Sequence, residues 1–501
     1  MTPQVSPIRQ FCARKTFRIN AAYLLTTLGD RMWMFAIGIF MHKLGGMTWV
    51  AVQQFFDAFV KLSILPIIGS FMDKSDRNLV MQRSLMMNNL AVAGSAASFC
   101  IVFIIAILLA SFSRLASEAQ RICFTKDWIV VITSSYPEEG VTLSQQNSFM
   151  SVIDQSASVV LPFLTGLLFD IFGWTISCIT IIIYNLCSWY IESCVLYSVY
   201  KATPALQTRH IKEDTEEDKQ AKAEAESHSW TNSFRLYFKQ TSWMAGFGLA
   251  LLYMTVLGFD NLAGSYGQKH GMSLSTLGLL RTCGSLFGVF GAISYGRIVP
   301  VVGLLWTTFI GLTWQNIFIA MSGASTLMPG SPMNVSGFVD NFDTSQWIGG
   351  VIDQVQNPEN IDQEETPFMQ LPLSIKIFFF GIMFARYGLW VADPAITQIQ
   401  QETIPESQRY SVFAMQTAFC EAFSLLKDTI VIMFPNTELF GGLAIISCIF
   451  VFSGYMLNNL YFIKCGCSRL KTAHLNDVEL QAIQQPERHS LLNGKSEEKP
   501  E

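Results

Sequence analysis

Asp30 and Arg31 stand near the middle of an apolar stretch, residues 20–44, that reads NAAYLLTTLGDRMWMFAIGIFMHKL. The stretch is long enough to cross a bilayer. A charge at membrane depth costs at least a few kcal/mol, so it faces a partner or a wet cavity. Gly29 lets the helix loosen there and expose carbonyl oxygens beside the carboxylate. Asp30 is therefore a candidate for lining a cation path. The alternative is an Asp30–Arg31 pair at a membrane interface. No nucleophile–base set, phosphate loop or His-x-x-x-His metal site occurs, so an enzyme is not expected.

The elements that must position such a residue are membrane helices. Half of the 501 residues are hydrophobic and only 14% are charged, against about 25% in soluble domains. The net charge of −5 argues against nucleic-acid binding. The eleven Cys are scattered, with no CxxC pair. Cys465 and Cys467 flank a glycine just after the last apolar run, a place where thiols are often palmitoylated. The basic N-terminus lacks a cleavage site and reads as a signal anchor.

Candidate spans are 20–44, 50–71, 84–112, 152–172, 175–200, 243–266, 273–295, 300–322, 372–400, 408–434 and 438–463. Basic residues flank them at the N-terminus, at 73–77, at 201–239 and after 464, and the loop 323–371 has none. The positive-inside rule puts both termini in the cytoplasm and that loop outside. Asn334 in Asn334-Val335-Ser336 is an acceptor for N-glycosylation there. The basic loops at 73–83 and 121–126 need an even number of crossings between them, but hydropathy gives one, 84–112. Two short spans are expected, the second shielded by other helices because 113–125 holds Arg114, Glu118 and Arg121. The alternative is a chain that lacks one helix.

The expected organisation is a cytoplasmic N-terminus at 1–19, a transmembrane lobe at 20–200 and a cytoplasmic linker at 201–240. A second lobe follows at 241–464, then a polar tail at 465–501. Two lobes around a central linker is a layout of transporters that rock about a midplane site. Glu487, Leu491 and Leu492 in the tail form an acidic-dileucine pattern that sorting adaptors read.

Several stretches resemble ferroportin, the iron exporter of the major facilitator superfamily: GDRMW at 29–33, MDKSDR at 72–77, KDWIVV at 126–131, IDQ at 153–155, YKATPAL at 200–206, LYMTVLGFD at 252–260, ARYGLW at 385–390 and ITQIQQETIPESQR at 396–409. The resemblance implies an all-α polytopic membrane protein with two helical bundles and 11–12 transmembrane helices, exporting Fe²⁺ or another divalent ion from the plasma membrane or an endomembrane. Its runner-up functions are transport of a different metal or solute, and a non-transporting receptor or interaction protein. The chain looks about one helix shorter than the family between 79 and 127.

Residue by residue, the resemblance places iron at Asp30 but finds Met34 where a His belongs, Asn261 for a Cys and Lys427 for a His. A thioether is a poor ligand for a hard ferrous ion. The second iron site is therefore not expected. Nor is control by a peptide hormone that uses that Cys. A calcium-binding set is implied at Asp30, Asn88, Asn185 and Glu192, with Ca²⁺ as a bound modulator and no obligatory cofactor. Residues 185 and 192 are two helical turns apart and share a face. Asn88 and Asn185 are alternatively glue between helices. Gating charges are implied at Asp73, Arg77, Lys126, Asp127, Asn147, Asp154, Arg386 and Asp393. Asp76 and Arg409 are expected to be solvated loop charges.

Overall fold

The computed structural model describes residues 14–98, 103–208, 230–258, 270–329, 366–433 and 439–465, with Ala263, Tyr266, Gly267, Ser331 and Gly349 between them. Among the described residues there are helices and turns and no strand. Seven helices are long and apolar enough to cross a membrane.

The backbone is helical over Lys15–Lys74, 60 residues, which run straight would measure about 90 Å. It does not run straight. Ser117 donates to Asp30 and Ser111 to Asp57. The two serines are about 9 Å apart along one helix, whereas the two acids would be about 40 Å apart on a straight rod. The chain therefore reverses into two limbs, α1 (Lys15–Met41) and α2 (Val52–Lys74). Pro66 inside α2 has no N–H to give the Leu62 carbonyl one turn back. The indole N–H of Trp230 donates to that carbonyl instead, at 3.2 Å.

Next come α3 (Arg77–Ser98) and α4 (Phe103–Ile122), which continues through a π turn (Cys123–Trp128) into α5 (Ile129–Ser135). The apolar run at 84–112 is thus split between two helices, in line with the two short spans expected there, and the helix that looked missing between 79 and 127 is present. Hydropathy blurred them because α4 is charged in its inner half. That half is shielded as expected: Ser113, Leu115, Ala116, Ser117, Ala119 and Gln120 are buried, and Glu118 pairs with Arg121.

A second 60-residue helix, α6 (Leu143–Ala202), reverses at Gly173, whose φ of 72° is the left-handed region that favours glycine. Its start is fixed by a capping box between Thr142 and Gln145. Inside the expected linker, α7 (Trp230–Lys239) is an ordered helix tied to α2, where Ser233 donates to the Pro66 carbonyl at 3.0 Å.

The second lobe holds α8 (Trp243–Leu251), α9 (Leu274–Val302), α10 (Leu304–Ser325), α11 (Leu373–Thr403), α12 (Arg409–Met433) and α13 (Leu439–Cys465). Helix α8 is shorter than the expected span 243–266, because residues 252–258 leave the helix. Helices α10 and α11 meet at glycines: a Cβ on Gly388 would lie 2.4 Å from the Gly311 carbonyl. The lobes meet along two seams. In one, a Cβ on Gly69 of α2 would lie 2.7 Å from that of Ala414 in α12. In the other, Ser148 of α6 donates to the Ala292 carbonyl of α9 at 2.6 Å. Asn261, Asn334, Cys467, Glu487, Leu491 and Leu492 lie outside the described residues.

Candidate metal site and inner gate

Four helices of the first lobe converge on Asp30. Asn88 on α3 donates to its Oδ1 at 2.9 Å, and Ser117 on α4 to its Oδ2 at 2.5 Å. Ser113 in turn donates to the Asn88 carbonyl oxygen at 2.7 Å. A Cβ on Gly29 would lie 3.2 Å from Asn185 Oδ1, so the amide oxygen of α6 packs on the backbone beside Asp30. One turn before Asp30, Thr26 donates to Glu192 Oε2 at 2.5 Å and accepts from Gln120 at 3.0 Å. All four residues of the expected set are thereby brought together, and Asn88, Asn185 and Glu192 are buried.

Thr26, Ser113, Ser117 and Gln120 complete the cluster. Sequence reasoning missed them, since hydroxyls and amides in apolar helices carry no signal of their own. Two buried acceptors there have no donor: Glu192 Oε1 and Gln120 Oε1. Buried oxygens are normally satisfied, so two acceptors without donors set this cluster apart from an ordinary polar core. The donors are all oxygen, which suits a hard divalent ion. Among the described residues no three His, Cys, Asp or Glu side chains cluster. The charge comes from two carboxylates only, and the other oxygens are neutral.

Arg31 does not pair with Asp30. It donates to Asp154 at 2.5 Å and turns another N–H to the Met34 sulfur at 3.8 Å. A cation at Met34 would thus meet a guanidinium, so position 34 is no ligand. Asp154 is thereby tied to α1 within its own lobe. Lys427 pairs with Asp428 at 3.2 Å, while Glu421 reaches across to Lys61 of α2.

Several of the residues expected to gate meet at one end of the two lobes, where the first lobe touches the start of α12. Asp73 at the end of α2 accepts from the backbone N–H groups of Tyr410 at 2.9 Å and Ser411 at 2.8 Å, capping α12 of the other lobe. A carboxylate there meets unpaired N–H groups and the positive end of the helix dipole. Arg77, 1% exposed, donates to Asp127 at 2.8 Å and pairs with Glu406. Asp127, on the π turn, also accepts from Arg409 at 2.9 Å and from the Tyr410 hydroxyl at 2.6 Å. Arg409 is therefore buried and bridges the lobes, contrary to the expectation of a solvated charge. Asp76 is exposed as expected and caps α3 through the N–H groups of Asn78 and Leu79.

Higher on the same seam, Lys126 donates to Thr397 at 3.2 Å, one turn from Asp393. Asn147 donates to Gln401 at 2.7 Å. Arg386 reaches Gln155 at 3.3 Å. These ties hold the cytoplasmic halves of the lobes together.

The comparisons agree with this architecture. The family model Ferroportin1 (FPN1) matches residues 13–451. The zebrafish (Danio rerio) protein solute carrier family 40 member 1 is 29% identical, over 93% of this chain and 95% of its own. A crystal structure of a bacterial homologue of the iron transporter ferroportin, in the outward-facing state, superposes with a TM-score of 0.70 at 19% identity. It covers 90% of this chain and 99% of its own. The major facilitator superfamily proton:xylose symporter XylE gives a TM-score of 0.58 at 11% identity, over 89% and 94% of the two chains. The fold is that of the major facilitator superfamily, and the chain, matched over most of its length, belongs to the ferroportin family.

Proposed function

We propose that this membrane transporter exports a divalent metal ion, Fe²⁺ or a close relative, by alternating access, with the Asp30–Glu192 cluster as its binding site. One observation carries the reading: the half-buried Asp30 and the buried Glu192 meet, with donor-less oxygens on Glu192 and Gln120, inside a lobe whose cytoplasmic seam is closed. A cation admitted from the cytoplasm requires the Asp73, Arg77–Glu406 and Asp127–Arg409 ties to part. Rocking back re-forms them and leaves the site open outward. The membrane potential opposes export of an uncompensated 2+ ion. The match to the Ferroportin1 family model and the likeness to a bacterial homologue of an iron transporter support iron as the cargo.

The same oxygen set suits Ca²⁺ as a bound modulator. Asp30, Asn185 and Glu192 would hold it directly, and Asn88 would join by turning its amide. The protein is expected in the plasma membrane with both termini cytoplasmic, and the 487–492 pattern supports recognition by sorting adaptors.

The test is efflux of Fe²⁺, Co²⁺, Mn²⁺ and Zn²⁺ from cells expressing the full chain at the surface. Iron efflux that Asp30→Ala abolishes is the expected result. Efflux of another ion alone assigns a different cargo, and efflux of none overturns the reading.

A further inference from the structure

On the opposite wall of the inter-lobe seam lies a group of donors that the cation site does not use. Arg386 and Trp390 are one turn apart on α11 and share a face. Arg386 Nε and Trp390 Nε1 are both buried N–H donors with no acceptor. The only hydrogen bond described for the guanidinium is the 3.3 Å contact from Nη2 to Gln155 of the first lobe. On α9, a Cβ at Gly288 would lie 3.0 Å from Gln155 Oε1 and 3.3 Å from Trp390 Nε1, so the bare backbone of α9 packs close against both side chains. Two turns further out on α9 stands Arg281, which interacts electrostatically with Arg386 and has no described carboxylate partner. Arg281 is exposed, seven residues into α9.

Two like charges at membrane depth repel, and two buried N–H groups without acceptors carry a desolvation penalty. Both costs vanish if an anion sits among them. The Nε and Nη2 edge of a guanidinium is a planar fork that matches two oxygens of one carboxylate-shaped ion. The indole N–H adds a third donor.

We propose that Arg386, Trp390 and Arg281 form a binding site for a small planar oxyanion of the bicarbonate or monocarboxylate class. The inference rests on the transporter reading, because an anion held there would offset part of the charge of an exported cation. Its test uses no metal, so the two readings fail separately.

The full-length chain, purified in detergent without metal, is titrated with sodium bicarbonate or sodium acetate against sodium chloride at constant ionic strength, and the thermal midpoint is followed. A ligand that binds only the folded state raises the midpoint saturably. Bicarbonate and acetate are expected to do so. Arg386→Lys, which keeps the charge but loses the fork, and Trp390→Phe, which loses only the N–H, should each raise the half-saturating concentration at least tenfold. Arg281→Met should raise it by a smaller factor. A rise that does not saturate, equal half-saturation in all the variants, or chloride saturating as well as bicarbonate would each overturn the proposal.

Discussion

The inner gate and the metal cluster are built from similar residues to opposite ends. At the gate Asp73 and Asp127 are each engaged at both carboxylate oxygens. Asp73 takes two backbone N–H groups of α12, and Asp127 takes Arg77, Arg409 and Tyr410 together. In the cluster, Glu192 keeps one oxygen without a donor and Asp30 is held only by an amide and a hydroxyl. A saturated charge network stabilises one conformation; an unsaturated one is left to bind something. The gate ties also cross between the lobes, whereas the cluster's bonds all lie within the first. Gate substitutions should therefore change which state is populated, and cluster substitutions should change metal affinity with the state left alone.

The largest effect is expected from Asp127→Ala. It strands the buried Arg409 guanidinium and leaves Arg77 to Glu406, and removing one partner of a buried ion pair costs about 3–5 kcal/mol. The thermal midpoint should fall by several degrees, and a distance probe across the cytoplasmic seam should report opening. An unchanged midpoint with the seam still closed would break the contrast between the two regions.

Arg409→Ala is the sharper version, because it removes the bridge from the second lobe while Arg77 still satisfies Asp127. The expected cost is about 2 kcal/mol or more, spent on opening the seam. Seam opening without loss of metal affinity is the expected pattern. An affinity loss equal to that of a cluster variant would show that the two regions are not separable.

The gate was only partly legible in the sequence, for a definite reason. Asp73, Arg77 and Asp127 stood out because their stretches resemble a known family. Arg409 was misread as solvated because its partner is 282 residues away, and nothing local marks a charge after a helix as buried. The same holds for Glu139, which accepts from the backbone N–H groups of Lys15 and Thr16 and so caps the first helix from a distant loop. Spans were legible where hydropathy dominates. They failed where function put charge into a helix, as at 113–125, where α4 turns Ser117 and Gln120 into the cluster. Asp30 and Glu192 were readable because acids in apolar runs are costly. The hydroxyls and amides that hold them cost little and so left no trace.

For Glu192→Gln the comparison predicts the reverse of the gate pattern. The amide retains an acceptor for Thr26 but supplies no charge and only one oxygen. Metal affinity should fall tenfold to a hundredfold, about 1.4–2.7 kcal/mol. The seam probe should not move. Isothermal titration with Co²⁺ measures the first and the distance probe the second. Affinity unchanged within a factor of two would remove Glu192 from the site.

Ser117→Ala is the smallest and most discriminating change. Its hydroxyl donates to Asp30 Oδ2 in the metal-free structure, so removing it could either release that oxygen for a cation or let the carboxylate swing away. A carboxylate accepts at about four lone-pair positions, so a cation bound by one oxygen need not displace the hydroxyl from the other. The serine then acts by holding Asp30 in place. A hydrogen bond of this kind contributes about 1 kcal/mol, so the variant should bind metal about fivefold more weakly. Tighter binding would mean that Ser117 competes with the ion, and that the cluster is held closed in much the same way as the gate.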